Sequence, residues 1–338
     1  MIDYRSDTFT KPTPAMLEAM FRAEVGDDVF EEDPTINKLE ILSADMFGKE
    51  AGLFCPSGTM TNQIAIKCHT QPGDEVICEE LSHVYIYEGG GIAFNAAASV
   101  RPVKGDRGRI TAEQVREAIN PEDIHKPYSA LVSLENTANR GGGSCYDFAE
   151  LEKIKEVCKE QGLALHLDGA RLFNALVAKN EKPQAYGQVF DTISLCLSKG
   201  LGTPVGSVLL GDKNFIKKAR RVRKVLGGGM RQAGYLAAAG IYALENHIDR
   251  LAEDHQHAQM LADALASKDF VRVINPVETN ILIFEVKGRF TPQGLVDKLM
   301  NEYDIKCIAI SRTQVRLVLH LDVTREMVEK TIDVLQQL

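Results

Sequence analysis

Short apolar runs that stop abruptly in polar or charged residues set the rhythm of most of this chain. Ala130-Leu131-Val132-Ser133-Leu134 ends in Glu135-Asn136-Thr137, Leu163-Ala164-Leu165-His166-Leu167 in Asp168-Gly169-Ala170-Arg171, and Thr192–Leu197 in Ser198-Lys199-Gly200. Val76-Ile77-Cys78 and Val100-Arg101-Pro102-Val103 read as further strands, and the three longer runs decide the class. Runs of this length, without alternation, predict strands buried on both faces. Between them the apolar positions fall at helical spacing: Ile36, Leu39, Leu42 and Met46 after Asp33-Pro34, and Phe148, Leu151, Ile154 and Val157 after Asp147, with Gly162 as a stop. Thr111 and Gln114 form a capping box before Val115, Ala118 and Ile119, and Pro121 ends that helix. Strand alternating with helix predicts an α/β protein with a mostly parallel sheet covered on both sides.

From about residue 247 the texture changes. A helix over His247–Ser267 precedes strands at Val271–Ile274 and Ile281–Glu285; a second helix (Pro292–Asn301) leads to strands at Lys306–Ile310 and Val315–His320, and a last helix closes the chain. The pattern predicts an N-terminal arm and large domain over 1–246 and a small α+β domain over 247–338, in line with the two domains or so that 338 residues suggest. In the final strand Val315, Leu317 and Leu319 share one face, with Arg316, Val318 and His320 on the other. An arginine on such a strand is costly unless it meets an anion.

Composition narrows the function classes. A formal charge of −8 argues against a nucleic-acid surface. Seven scattered cysteines without a C-x-x-C pair or zinc spacing suggest reduced thiols in a cytoplasm, and no metal site is assigned. Charged residues in Met1-Ile2-Asp3-Tyr4-Arg5 do not read as a signal peptide, and no apolar run spans a bilayer. Lys213–Lys224 holds seven basic residues in twelve positions. With Phe215, Ala219, Val222 and Leu226 beneath it, this stretch reads as a solvated helix face rather than an anion patch.

The candidate chemistry sits where strands end. Lys199 and Asp168 follow two apolar runs, and the carboxyl ends of strands are where open α/β sheets bind ligands. Pro56-Ser57-Gly58-Thr59 opens a further helix, either as an ordinary cap or as a cradle of free amides for a phosphate. His83, Tyr85 and Tyr87 precede Gly89-Gly90-Gly91, where the backbone must pass close to something; His83 alone reads as a satisfied core or loop histidine more readily than as a catalytic one. Gly200-x-Gly202-x-x-x-Gly206 has the wrong spacing for a dinucleotide loop, no phosphate loop is present, and Ser194 stands too far from Lys199 for a Ser-x-x-Lys nucleophile. The ordered set Ser57-Gly58-Thr59, Asp168 and Lys199 meets the needs of pyridoxal phosphate (PLP): an amine for a Schiff base, a carboxylate for the ring nitrogen, and amides for the phosphate.

Over essentially its full length the chain resembles the threonine aldolases, PLP enzymes of fold type I. The segments that carry the resemblance are Arg5-Ser6-Asp7-Thr8, Gly26-Asp27-Asp28-Val29, Glu32-Asp33-Pro34-Thr35, Pro56–Met60, Glu88–Gly91, Leu134–Thr137, His166–Arg171, Leu197–Gly202 and Leu226–Gly234. The resemblance implies a PLP-dependent transferase-like fold with a seven-stranded sheet, and retro-aldol cleavage of an L-β-hydroxy-α-amino acid of the threonine, allo-threonine or phenylserine type to glycine and an aldehyde. It implies Lys199 as the Schiff-base lysine, Asp168 on the ring nitrogen, His83 stacked on the ring, and Ser57, Gly58, Thr59 and Ser198 about the phosphate. Arg171, Ser6 and Arg316 would surround the ring oxygen and the substrate carboxylate, with Tyr87 and Phe30 near the substrate and His125 near its hydroxyl. His83, His125 or a water they hold would be the base. Subunits of the family share active sites, so a homodimer or homotetramer is expected, with Lys224 and Arg231 reaching a neighbour. Two departures stand out: Phe30 where the family usually has tyrosine, and Ala138 where Glu-Asn-Thr is usually followed by histidine. Both suggest a bulkier or more apolar aldehyde. The alternatives are a β-eliminating PLP lyase of the tyrosine phenol-lyase kind and a non-catalytic PLP-binding protein.

Overall fold

The unalternating apolar runs become strands because helices cover both faces of the sheet they form. The computed structural model describes residues 1–338. After β1 (Ile2–Asp3) come β2 (Ala51–Cys55), β3 (Glu75–Glu79), β4 (Ser99–Val103), β5 (Ser129–Glu135), β6 (Ala164–Gly169), β7 (Thr192–Cys196) and β8 (Ser207–Gly211). They build one seven-stranded sheet in the order β2-β8-β7-β6-β5-β3-β4, leaving β1 aside. Only β8 runs against its neighbours, antiparallel to both β2 and β7. Every residue of β3, β5, β7 and β8 is buried, as a sheet with two covered faces requires. The carboxyl ends of β2, β3, β5, β6 and β7 therefore share one edge, and the residues just past them are Ser57, His83, Asn136, Arg171 and Lys199.

The helix signals act as expected. Thr111 and Gln114 form the reciprocal capping box, Asp147 caps helix Phe148–Gln161, and Gly162 ends it at φ 71°, a conformation that favours glycine. Asp33 caps helix Pro34–Phe47 through the Thr35 and Ile36 amides. The Lys213–Val225 helix departs from the expected solvated face. Arg223 is buried, 2.7 Å from Asp28 and donating to the Phe54 carbonyl, and Arg220 pairs with Glu40 at 2.9 Å. Both turn inward because buried carboxylates wait on other elements, which helical periodicity cannot reveal.

Beyond helix Leu251–Ala266 lie β9 (Val271–Ile274), β10 (Ile281–Val286), β11 (Ile305–Lys306), β12 (Ile308–Ala309) and β13 (Gln314–Val318). β12-β13-β10-β9 form an antiparallel sheet. Val315, Leu317 and Leu319 pack into its core, while Val318 joins Ile281 and Ile283 on the opposite face. The N-terminal arm belongs with this unit in packing: β1 pairs with β11, and Ile2 and Tyr4 lie in the same core. Arm and C-terminal strands thus meet over the edge of the large sheet.

Candidate active site

A cavity of about 580 Å³ opens at that meeting point, lined by Ser6, Thr8, His83, Tyr87, Glu135, Asn139, Arg140, Ala170, Arg171, Lys199, Ile308, Ala309, Ile310 and Arg316. Lys199 enters from the turn after β7. Its ammonium makes no ion pair, and its one hydrogen-bond partner is the Cys196 sulfur at 3.5 Å. Burial favours the neutral amine, but the Cys196 sulfur and the Asp168 and Asp7 carboxylates outweigh it and raise the pKa. Asp168, at the end of β6, accepts from the Ala170 amide at 3.1 Å and from Asn62 Nδ2 at 2.9 Å.

Asn62 is the residue sequence reasoning overlooked. It sits in helix Gly58–His69, and its amide also donates to Glu88 Oε1 at 2.9 Å. Its carbonyl faces His166 Nε2 at 3.1 Å. Burial pulls the His166 pKa down to about 3 and that of His69 to about 4, so both rings are neutral. Their shared partner Thr192 Oγ1 lies 2.9 Å from each. The donors therefore run one way: His69 to Thr192, Thr192 to His166, His166 to Asn62, and Asn62 to the two carboxylates. The last link fixes the sense, because carboxylates only accept.

His83 lies on the wall, its Nδ1 3.0 Å from Glu88 Oε1 and its backbone amide on Glu135. Burial works against its charge, yet Glu88, Asp168 and Glu135 prevail and raise its pKa. Burial, and then Asp168, raise that of Glu135. The ligand atoms of His83, Glu88 and Asp168 lie within 4.8 Å of one another, and a cation there would have to displace the Asn62 amide.

Arg171 has its guanidinium claimed by Asp7, with Nε to Oδ2 and Nη2 to Oδ1 both at 2.7 Å. Burial opposes the Asp7 charge, but Arg171 holds its pKa at about 2. Arg316 has no carboxylate. It donates to Asn139 Oδ1 at 2.8 Å and the Arg5 carbonyl at 3.0 Å, and its Nε has no partner. Burial, with Arg171 close by, lowers its pKa to about 10.

Of the expected site residues, Ser6, His83, Tyr87, Arg171, Lys199 and Arg316 meet on this wall. Ser57 caps its helix through the Met60 amide, leaving the Gly58 and Thr59 amides without protein acceptors. Cys196 ties that cradle to the Lys199 strand: a Cβ on Gly58 would stand 3.9 Å from its side chain. Ser198 Oγ lies 3.7 Å from Cys196 Sγ.

Other expectations fail within one chain. His125 is on an exposed turn, paired with Asp123, ahead of β5 and so at the opposite edge of the sheet. Phe30 is 69% exposed in a turn beside Val29, which packs with Lys224 at Gly229; Arg231 pairs with Asp27. These three form an outer patch, away from the cavity. Ala138 is buried, and its Cβ is set against Gly108 rather than on the cavity wall. Within one chain, neither Phe30 nor Ala138 lines the cavity.

Residues 3–289 match the family model for the β-eliminating lyases. The chain is 45% identical to a low specificity L-threonine aldolase of Escherichia coli K12, covering 96% of each chain. It is 42% identical to low-specificity L-threonine aldolase 1 of Arabidopsis thaliana, covering 99% of this chain and 96% of the relative. Among solved structures, a threonine aldolase of Leishmania major superposes with a TM-score of 0.87 at 23% identity, covering 100% of this chain and 99% of that one.

Proposed function

The chain belongs to the threonine aldolases of the β-eliminating lyase family, and from this premise we propose that its cavity performs the PLP-dependent retro-aldol cleavage of L-β-hydroxy-α-amino acids. It is an enzyme of the carbon–carbon lyase type that cleaves threonine to glycine and an aldehyde. The observation that carries the reading is Lys199, half-buried on the cavity wall at a strand end without a carboxylate partner, in a chain that also offers Asp168 at a neighbouring strand end and two helix amides that lack acceptors.

The residues suit pyridoxal phosphate. Gly58 and Thr59 offer free amides at a helix N-terminus for the phosphate, Asp168 offers a carboxylate held by Asn62 for the ring nitrogen, and Lys199 offers the amine that anchors the aldehyde. When bound, the cofactor would supply a protonated ring that draws off the electron pair left on the substrate's Cα. Arg316, with an unpartnered Nε, would take the α-carboxylate in a charge-assisted bond. His83 would accept the proton of the β-hydroxyl, its ring held by Glu88. As the Cα–Cβ bond breaks, the hydroxyl oxygen becomes the aldehyde carbonyl and Cα takes up a proton. Lys199, the one lysine on the cavity wall, would return it.

The oligomer proposed is a homodimer or homotetramer with shared sites, in which a second copy would bring His125 or the Phe30, Lys224 and Arg231 patch to a cavity. The seven cysteines are all unpaired and buried, which supports a reducing, cytoplasmic setting. No helix is long and apolar enough to cross a membrane.

Glycine and aldehyde release from L-threonine and L-allo-threonine by the purified protein tests the reaction. Ammonia and a keto acid would instead mark β-elimination, the chemistry for which the family model is named. Lys199→Ala should abolish both release and the visible absorbance of lysine-bound cofactor; persistence of that band would refute the cofactor assignment.

A further inference from the structure

Arginine outnumbers carboxylate on the cavity wall. Arg171, Arg316 and Arg140 all line it, and only Arg171 has an acidic partner. Arg316 and Arg140 rest on neutral oxygens alone. Arg140, in the loop after β5, donates from Nη1 to the Ile310 carbonyl at 3.2 Å and, more loosely, to the Tyr87 hydroxyl at 3.4 Å. The one acidic side chain on the wall, Glu135, has its oxygens bound by the His83 and Asn139 amides. A single α-carboxylate answers one of the two uncompensated cations and leaves the other.

Position separates their roles. Arg316 is the inner one: it bonds Asn139 and the Arg5 carbonyl, and feels the Asp7–Arg171 pair. Arg140 is the outer one, bridging Tyr87, itself 50% exposed, and the carbonyl beyond β12. A substrate with its amino group at Lys199 and its α-carboxylate on Arg316 would leave the Arg140 guanidinium and the Tyr87 phenol for the substituent on Cβ.

We propose that Arg140 and Tyr87 form a second anion subsite, and that this chain takes β-hydroxy-α-amino acids carrying a second carboxylate, of the β-hydroxyaspartate type. The inference rests on the retro-aldol reading above and names the substrate class of the same site. The reaction balances without a co-reactant. The Cα–Cβ bond breaks and its electron pair stays with Cα, which takes up a proton to give glycine. The β-hydroxyl gives up its proton, and its oxygen becomes the carbonyl of glyoxylate.

The test compares kcat/KM for the L-β-hydroxyaspartate diastereomers with L-threonine and L-allo-threonine in the holoenzyme, and measures binding of succinate and propionate by competition. Wild type should use the acidic substrate at least as well as threonine and bind succinate more tightly than propionate. Arg140→Met should lower the acidic-to-threonine ratio by about 10- to 100-fold, the worth of one charge-assisted bond, and remove the preference for succinate. Arg140→Lys should restore part of both, and Tyr87→Phe should lower the ratio by a smaller factor. A wild-type ratio below about one tenth, or a ratio and a succinate preference unmoved in Arg140→Met, would overturn the subsite. Failure of wild type to release glycine from any substrate would sink the retro-aldol reading instead, with the succinate preference still deciding the subsite.

Discussion

The buried Asp7–Arg171 pair joins the N-terminal arm to the loop after β6, and Asp7 also accepts from Asn280 beside the C-terminal sheet at 3.2 Å. Asp7→Ala leaves the Arg171 cation buried without its bidentate partner. Removing one member of such a pair costs about 3–5 kcal/mol. Part of that figure can be worked from ionisation: a carboxyl held at about 2 rather than 3.8 ties roughly 2–3 kcal/mol to its charge. With roughly 2 cal/mol/K of unfolding entropy per residue, this chain loses about 0.7 kcal/mol per degree near its midpoint, so Asp7→Ala should lower Tm by about 4–7 °C. Urea unfolding of wild type and Asp7→Ala at pH 7, 4 and 2.5 measures the difference. The Asp7 contribution is fully present above its unfolded pKa of 3.8 and is lost as pH falls through about 2, so the gap should narrow at the lowest pH. Asp7→Leu with Arg171→Met should recover much of the loss, because apolar replacement of both partners leaves no orphaned charge. Equal stability of Asp7→Ala and wild type at pH 7, or a gap that widens on acidification, would refute the reasoning.

Glu88→Gln removes the carboxylate that most strongly opposes the burial of His83. The His83 pKa should fall, moving the acid limb of kcat/KM to lower pH, and a ring titration by NMR that stays put or rises would count against His83 as the base. The same raised pKa contributes stability below about 6.5 that is lost as pH rises through the folded value, and Glu88→Gln should flatten that dependence. Asn62→Leu strips the donor shared by Glu88 and Asp168 and the acceptor of His166. Two facing carboxylates without a donor favour a proton between them, so the grip on the ring nitrogen weakens. Titration of the apoprotein with pyridoxal phosphate should show affinity at least about tenfold lower, and unchanged affinity would remove Asn62 from its positioning role.

Local rules carried the reading of the chain a long way. Short apolar runs that do not alternate and stop in turn residues fit strands covered on both faces, so β3, β5, β6 and β7 and their polar terminations were readable in one dimension. Caps and glycine stops placed the helices between them, and a period of two put Arg316 on the face opposite Val315 and Leu317. The interrupted strand at Ile305–Ala309 and the lone antiparallel β8 were not readable, because both depend on pairing partners remote in the chain.

The sequence by itself determined which residues stand at strand ends, and with them Lys199, Asp168 and the Gly58 amides as the proposed site for one kind of cofactor. Tertiary structure alone decided what each charge meets. Arg171 turned out to be spent on Asp7, Arg223 on Asp28, and the amide of Asn62 divided between two carboxylates, while His125 went to the far edge of the sheet. Periodicity reports which way a side chain faces over a few residues, whereas an ion pair joins atoms whose separation along the chain carries no local signal. For the same reason only the folded chain shows that Tyr87 and Arg140 line the cavity while Phe30 and Ala138 of the same chain do not.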